Sequence, residues 1–391
     1  MIRGDGLNFP QISIIVYYAL SPFLYLVRTL VGDFGFSAII LRSLEPCLIL
    51  VVFLSLLNLQ KIKINIIIVS MILLGIYGIV VGFLNENKPV DVVSGMSHFY
   101  MGVLLCAYFY SVDTLSNMNR FMMLLSFYCI ISISIVLFVM YTLPYWAGIQ
   151  IYLGLACQIL IIIFFYNVHQ KKITISILTL LLILASGKRG VLVALFIAFA
   201  ASFFPFFVKY HSKEMLKITS IIIIAASFVF FFNAPVLDKF LSKFSINNTS
   251  TLNSYSSGRI NEISSAFNFF YNTNNNILLG KGFGFSYTYV NDDKNIPDVE
   301  GYRNIHFSYL NPLLIFGLPL AFFYYCILLL VFFKVSNFGL RGSIYLKWSV
   351  FSYFVYACFV FNLFNEPILW MCIGIVFRAK NFLARSVPVN E

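Results

Sequence analysis

Charge is what this chain has least of. Asp, Glu, Lys and Arg make up 10% of its 391 residues, against 60% hydrophobic, and that ratio excludes an ordinary soluble domain. Disulfide or zinc chemistry also lacks support. The seven cysteines (Cys47, Cys106, Cys129, Cys157, Cys326, Cys358 and Cys372) all fall in apolar runs, and no pair has metal-ligand spacing, so they read as small core residues. No repeat recurs at a fixed period, and no inverted repeat of the transporter kind is present. The net charge of +11 is scattered over short links, which leaves no continuous basic face and argues against nucleic acid as a partner. The first apolar run has no signal-peptide cleavage signature and reads as a retained helix.

What the chain does have is hydrocarbon. A bilayer crossing needs roughly 20 apolar residues, and roughly 300 residues lie in such runs. Twelve spans are expected, at 11–31, 37–58, 64–84, 95–112, 121–142, 148–167, 173–186, 190–208, 218–234, 306–333, 348–364 and 367–378, with the seventh and last short. The fold class expected is all-α and polytopic. With the N-terminus inside, the cytoplasmic links receive fifteen cations: Arg3, Lys61, Lys63, Arg120, Lys171, Lys172, Lys209, Lys213, Lys217, Lys334, Arg341, Lys347, Arg378, Lys380 and Arg385. The opposite links receive five, namely Arg28, Arg42, Lys88, Lys188 and Arg189. That asymmetry puts both termini in the cytoplasm and the long loop outside.

The loop is a polar island. Residues 235–305 lie between the ninth and tenth spans and are rich in Asn, Ser, Tyr and Gly. Within it, Ser257-Gly258-Arg259 precedes Ile260, Ile263, Phe267 and Phe270, a spacing of three and four that predicts an amphipathic helix with Ser257 as N-cap. A glycine-rich turn follows at 278–284, then the turn-prone segment Asn291-Asp292-Asp293-Lys294, then Tyr302-Arg303-Asn304-Ile305-His306 leading into the next helix. The glycine turn follows no strand–helix unit, which argues against a nucleotide site.

Several charged residues stand where charge is costly. Ser186-Gly187-Lys188-Arg189-Gly190 puts two cations on the cation-poor side, where each costs on the order of 3 kcal/mol at full membrane depth. Flanking glycines allow close approach to a ligand, and the Arg fork suits phosphate oxygens. A snorkelling interfacial pair is the alternative. Arg259 opens the loop helix, where free N–H groups and a guanidinium together make an anion site; an i, i+3 pair with Glu262 is the alternative. His306 lies at the expected membrane boundary and can accept a proton from a sugar hydroxyl near neutral pH. His98 is a weaker candidate, and His169 and His211 fall in basic cytoplasmic links. Arg42, Glu45 and Glu366 map to outer halves or links, where ionisable groups are functional candidates.

Taken in order, these pieces resemble the O-antigen polymerase and ligase superfamily of bacterial membrane glycosyltransferases. The order is a Ser-Gly-x-Arg-Gly turn, a long periplasmic loop with Gly258-Arg259 opening a helix, a Leu-x-Gly-x-Gly-x-Gly turn from Leu278 on, and His306-Phe307-Ser308-Tyr309-Leu310 entering a helix that reaches Gly317-Leu318-Pro319. Where the superfamily commonly carries Asn after the His, this chain has Phe307. The resemblance implies a GT-C-like fold in the inner membrane with its active face in the periplasm. It also implies a transferase without metal or other cofactor, acting on glycans linked to undecaprenyl pyrophosphate as donor and acceptor. Membrane lipid and a chain-length regulator are the other partners it implies. Arg189 and Arg259 would grip the pyrophosphate and His306 would activate the acceptor; Lys188, Arg42, Glu366, Arg303 and Tyr309 are expected to bind substrate. Polymerase is the expected activity. The rivals are a ligase, which the motifs do not separate from it, and a flippase, which would have short loops throughout.

Overall fold

The computed structural model describes residues 6–31, 36–59, 62–112, 116–142, 156–186, 189–202, 259–271, 274–290, 299–302, 305, 307–336, 344–358 and 366–386. The expected ninth span, 218–234, lies outside them. Eight helices precede the loop: α1 (Phe9–Val31), α2 (Phe36–Leu57), α3 (Ile66–Leu84), α4 (Pro89–Ser111), α5 (Met118–Thr142), α6 (Ala156–His169), α7 (Ile173–Ala185) and α8 (Arg189–Ser202). The loop supplies α9 (Arg259–Tyr271), α10 (Asn274–Leu279), β1 (Tyr287–Tyr289) and β2 (Val299–Tyr302). The chain then forms α11 (Asn311–Ser336), α12 (Ile344–Tyr356) and α13 (Pro367–Ser386).

Among the described residues, five helices are long and apolar enough to cross a membrane, and five shorter apolar helices accompany them. The protein is therefore a multi-pass, mostly helical membrane protein. Its outer surface fits that solvent: Leu73, Ile76, Val80, Phe83 and Leu84 of α3 and Phe322, Leu329 and Phe333 of α11 are exposed apolar side chains, acceptable where lipid replaces water.

Three expectations change. The all-α reading omits an antiparallel hairpin, in which Tyr287 pairs with Tyr302 and Tyr289 with Val299. The fourth helix starts at Pro89, six residues before its expected start, with Pro at its first position and Asp91 in its first turn, a favourable helix start despite low hydropathy. The last helix continues past its expected end to Ser386, although its apolar part, Pro367–Ala379, is short as expected.

Local chemistry sets the connections. Asn65 caps α3 by accepting from the Ile68 amide at 2.9 Å, and Lys171 takes a left-handed conformation (φ 59°) in the turn from α6 to α7. Small residues bring α4 and α13 together. A Cβ on Gly102 would lie 2.4 Å from Trp370 Cδ1, and one on Gly374 would lie 2.6 Å from the Cys106 carbonyl. Membrane helices gain van der Waals contact from such close approach.

α11 is broken. Gly317 has φ 72° and ψ 173° inside it, followed by Pro319. Pro has no N–H to offer the carbonyl of Ile315, four residues back, and the break at Gly317 frees that of Leu314 as well. Both find donors from outside the helix: Lys281 N reaches Leu314 O at 2.7 Å and Gly282 N reaches Ile315 O at 2.9 Å.

Candidate catalytic face at the loop

Those two donors belong to the glycine turn, which is a wedge driven between helices. Phe283 is buried, its ring among Phe99 (5.6 Å) and Phe316 (6.1 Å), and its amide donates to Gly78 O at 2.9 Å. Asn87, just before α4, donates to the carbonyls of Lys281 and Phe283 at 2.7 and 2.8 Å. A Cβ on Gly282 (φ +72°) would stand 2.0 Å from the Gly82 nitrogen, so both conformation and space require glycine there.

The wedge fixes what lies above it. Ala266 and Phe270 of α9, Phe285 and Tyr287 of the hairpin, and Ile305, Leu310 and Leu314 form one buried apolar cluster. Val290 N adds a 3.0 Å bond to Ser265 Oγ of α9. The helix that Arg259 opens and the backbone on both sides of His306 therefore share a single small core. The expected amphipathic stripe splits, however: Phe270 is buried, while Phe267 faces outward beside Tyr271. Glu262, expected only as a partner for Arg259, is buried on the inner face.

The segment after His306 is anchored to α12. Ser308 N donates to Ala357 O at 2.9 Å, and Tyr309 Oη donates to Phe354 O at 2.7 Å. Tyr325 Oη in turn donates to Tyr309 O. Tyr309 lies in the turn before α11, outside the membrane-spanning helix. Burial, and secondarily the neighbouring Cys358, pushes its phenol well above the ordinary range, so it remains a donor. α12 packs against α6 and α8, the helix that Arg189 opens.

Glu366, just before α13, is only 2% exposed. Tyr18 of α1 donates its hydroxyl to Glu366 Oε1, and Ile368 N reaches the Tyr18 hydroxyl at 3.3 Å. Tyr353 of α12 donates to Gln158 O of α6 at 2.8 Å. Glu366 and Tyr309 were expected on sequence grounds; Tyr18, Tyr353 and Gln158 were not. Polar side chains inside apolar runs were the available signal for the latter three.

The other expected residues divide by how much of them is described. Arg189 and Arg259 are the first residues of α8 and α9, and Arg42 lies in α2; the side chains of all three are outside the described residues, as is that of Glu45. Lys188, Arg303 and His306, with Ser257 and the turn at 291–294, lie wholly outside. Ser186 closes α7, its hydroxyl donating to Ile183 O at 2.7 Å, so only two residues separate it from the start of α8. His98 Nδ1 bonds the carbonyl of Ser94 in its own helix at 2.6 Å, and the ring of His169 lies 5.8 Å from that of Tyr345.

Residues 174–325, from α7 into α11, match the family model described as O-antigen ligase. That match supports the resemblance to the O-antigen polymerase and ligase superfamily. The superfamily match spans every loop element described above, including the wedge and the anchored turn. Its members are glycosyltransferase-like enzymes of lipopolysaccharide assembly. Among curated proteins, none matches this chain.

Proposed function

We propose that the protein is an O-antigen polymerase of the bacterial inner membrane, crossing it twelve times and joining undecaprenyl-pyrophosphate-linked repeat units at the periplasmic face. One observation carries this reading. The helix opened by Arg259 and the backbone flanking His306 share a core, and the turn after His306 is bonded to α12, against which α8 packs. On the topology given by the cation count, α8 runs inward while α12 runs outward, so Arg189 starts at the end of α12 where the His306 turn is held.

The chemistry follows from these groups. The acceptor hydroxyl oxygen bonds the anomeric carbon of the donor sugar as the bond from that carbon to the pyrophosphate oxygen breaks. The hydroxyl proton passes to His306. The leaving lipid pyrophosphate takes the electron pair, and its charge is met by Arg189 and Arg259 as charge-assisted hydrogen bonds. Guanidinium groups in this role make a divalent metal unnecessary. Lys188, Arg42, Arg303, Glu366 and Tyr309 complete the substrate-binding set, and a chain-length regulator is the protein partner.

The family description, O-antigen ligase, favours transfer to lipid A core as the second reading. The lipopolysaccharide of a deletion strain separates the two. Core bearing a single repeat unit is the expected result; bare core means a ligase, and loss of exported repeat units means a flippase.

A further inference from the structure

The segment 274–284 belongs by sequence to the long polar loop, yet its surroundings are those of a bilayer. Tyr77, whose hydroxyl donates to Leu279 O at 2.8 Å, stands seven residues before the end of α3, about 10 Å below it at 1.5 Å per residue. Phe283 lies against Gly78 and Gly95, within α3 and α4 rather than above them. From Gly280 on the backbone is not helical, yet much of its hydrogen bonding is met by protein groups. The Leu279, Lys281 and Phe283 carbonyls accept from Tyr77 and Asn87, and the Lys281, Gly282 and Phe283 amides donate to Leu314, Ile315 and Gly78. Such pairing by protein is what irregular backbone at membrane depth requires, and what a water-exposed turn has no need of.

The side chains point the same way. Leu278 and Leu279 are 63% and 55% exposed, on a segment whose backbone is held inside. They continue the exposed apolar faces of the two helices that grip it, with Val80, Phe83 and Leu84 on α3 and Leu318 and Phe322 on α11. In water, such an apolar surface is unfavourable by roughly 25 cal/mol per Å²; against acyl chains it is not.

We infer that residues 278–284 re-enter the membrane and that Leu278 and Leu279 contact phospholipid acyl chains, in the leaflet that holds Leu84 and the start of α11. The segment is then a lipid-facing part of the transmembrane surface that carries α9 and the hairpin down onto the bilayer. This does not rest on the transferase reading.

The test uses the full-length protein in phosphatidylethanolamine–phosphatidylglycerol vesicles. Cys47, Cys157, Cys326 and Cys358 are replaced, while the buried Cys106, Cys129 and Cys372 stay. Nitroxide is attached in turn through Leu278→Cys, Leu279→Cys, Phe322→Cys and Thr288→Cys. Leu278 and Leu279 labels should match Phe322, with oxygen collisions several-fold favoured over a water-soluble nickel chelate, and differ from Thr288 on the exposed hairpin. Labels at 278 and 279 that behave like Thr288 would overturn the inference. The unaltered protein gives a second reading, with a phospholipid bearing a diazirine in its acyl chain. Photolysis should mark peptides covering 278–284 together with α11; marking of α11 with none on 278–284 would also overturn it.

Discussion

At the scale of the residue, the proposed roles of Arg189, Arg259 and His306 make separable demands. A placed base contributes about 10²- to 10⁴-fold, so His306→Ala should lose that much turnover on purified lipid-linked repeat units. His306→Gln is the sharper variant, because Gln can orient an acceptor but cannot take its proton. It should be as inactive as Ala, and the wild-type rate should fall as pH drops through the ordinary imidazole range near 6.5, where the protonated ring can no longer accept. Full activity in His306→Ala would shift suspicion to Glu366 or His98. Arg189→Ala and Arg259→Ala should sharply reduce polymer with the protein still in the membrane, while Arg→Lys, which keeps charge but loses the fork, should restore part of it at best. Glu366 shows where residue-level reading stops. Its position before Pro367 marks it as an ionisable group near a helix start, but its partner Tyr18 is 348 residues away, and no sequence periodicity connects the two.

At the scale of the element, apolar runs locate helices well where the whole element is apolar. The expected span 173–186 corresponds to Ile173–Ala185, and 64–84 to Ile66–Leu84. The reading fails where protein replaces lipid as the neighbour. The first turns of α4 carry Asp91, Ser94, Ser97 and His98 and so lack the hydropathy of a crossing, yet they form helix beside the glycine wedge. The hairpin is too short to show a period of two. The wedge itself was legible as a turn but not as a packing element, because its fit depends on Gly78 and Gly82, two hundred residues earlier. Two alanines separate fit from backbone strain. Gly301 has φ +70° with nothing within 4 Å of an added Cβ, so Gly301→Ala should destabilise by only about 1–2 kcal/mol, the left-handed strain. Gly82 is helical, but its Cβ would sit 2.7 Å from the Phe283 carbonyl oxygen. Gly82→Ala should therefore cost at or above about 3 kcal/mol, the upper end for overpacking. Thermal unfolding in detergent followed by size exclusion should show the larger shift for Gly82→Ala; equal shifts would mean that the wedge is loosely held.

At the scale of the whole molecule, the proposed orientation rests on the cation count. A single cysteine at Asp292 should react from the periplasm with an impermeant maleimide, and one at Lys213 should react only after the cells are opened. Reaction of Asp292 only in opened cells would put the glycine turn and the His306 segment on the wrong side for lipid-linked glycans delivered outside. The break in α11 has a consequence for biogenesis as well. A helix released into lipid with the Leu314 and Ile315 carbonyls bare would carry a penalty of several kcal/mol for each. Their mates, the amides of Lys281 and Gly282, are synthesised about thirty residues earlier, and on the proposed topology they cross the membrane before α11 emerges from the translocon. On that topology the order of synthesis supplies the cap before the helix that needs it, and ties membrane insertion of α11 to the earlier arrival of the loop.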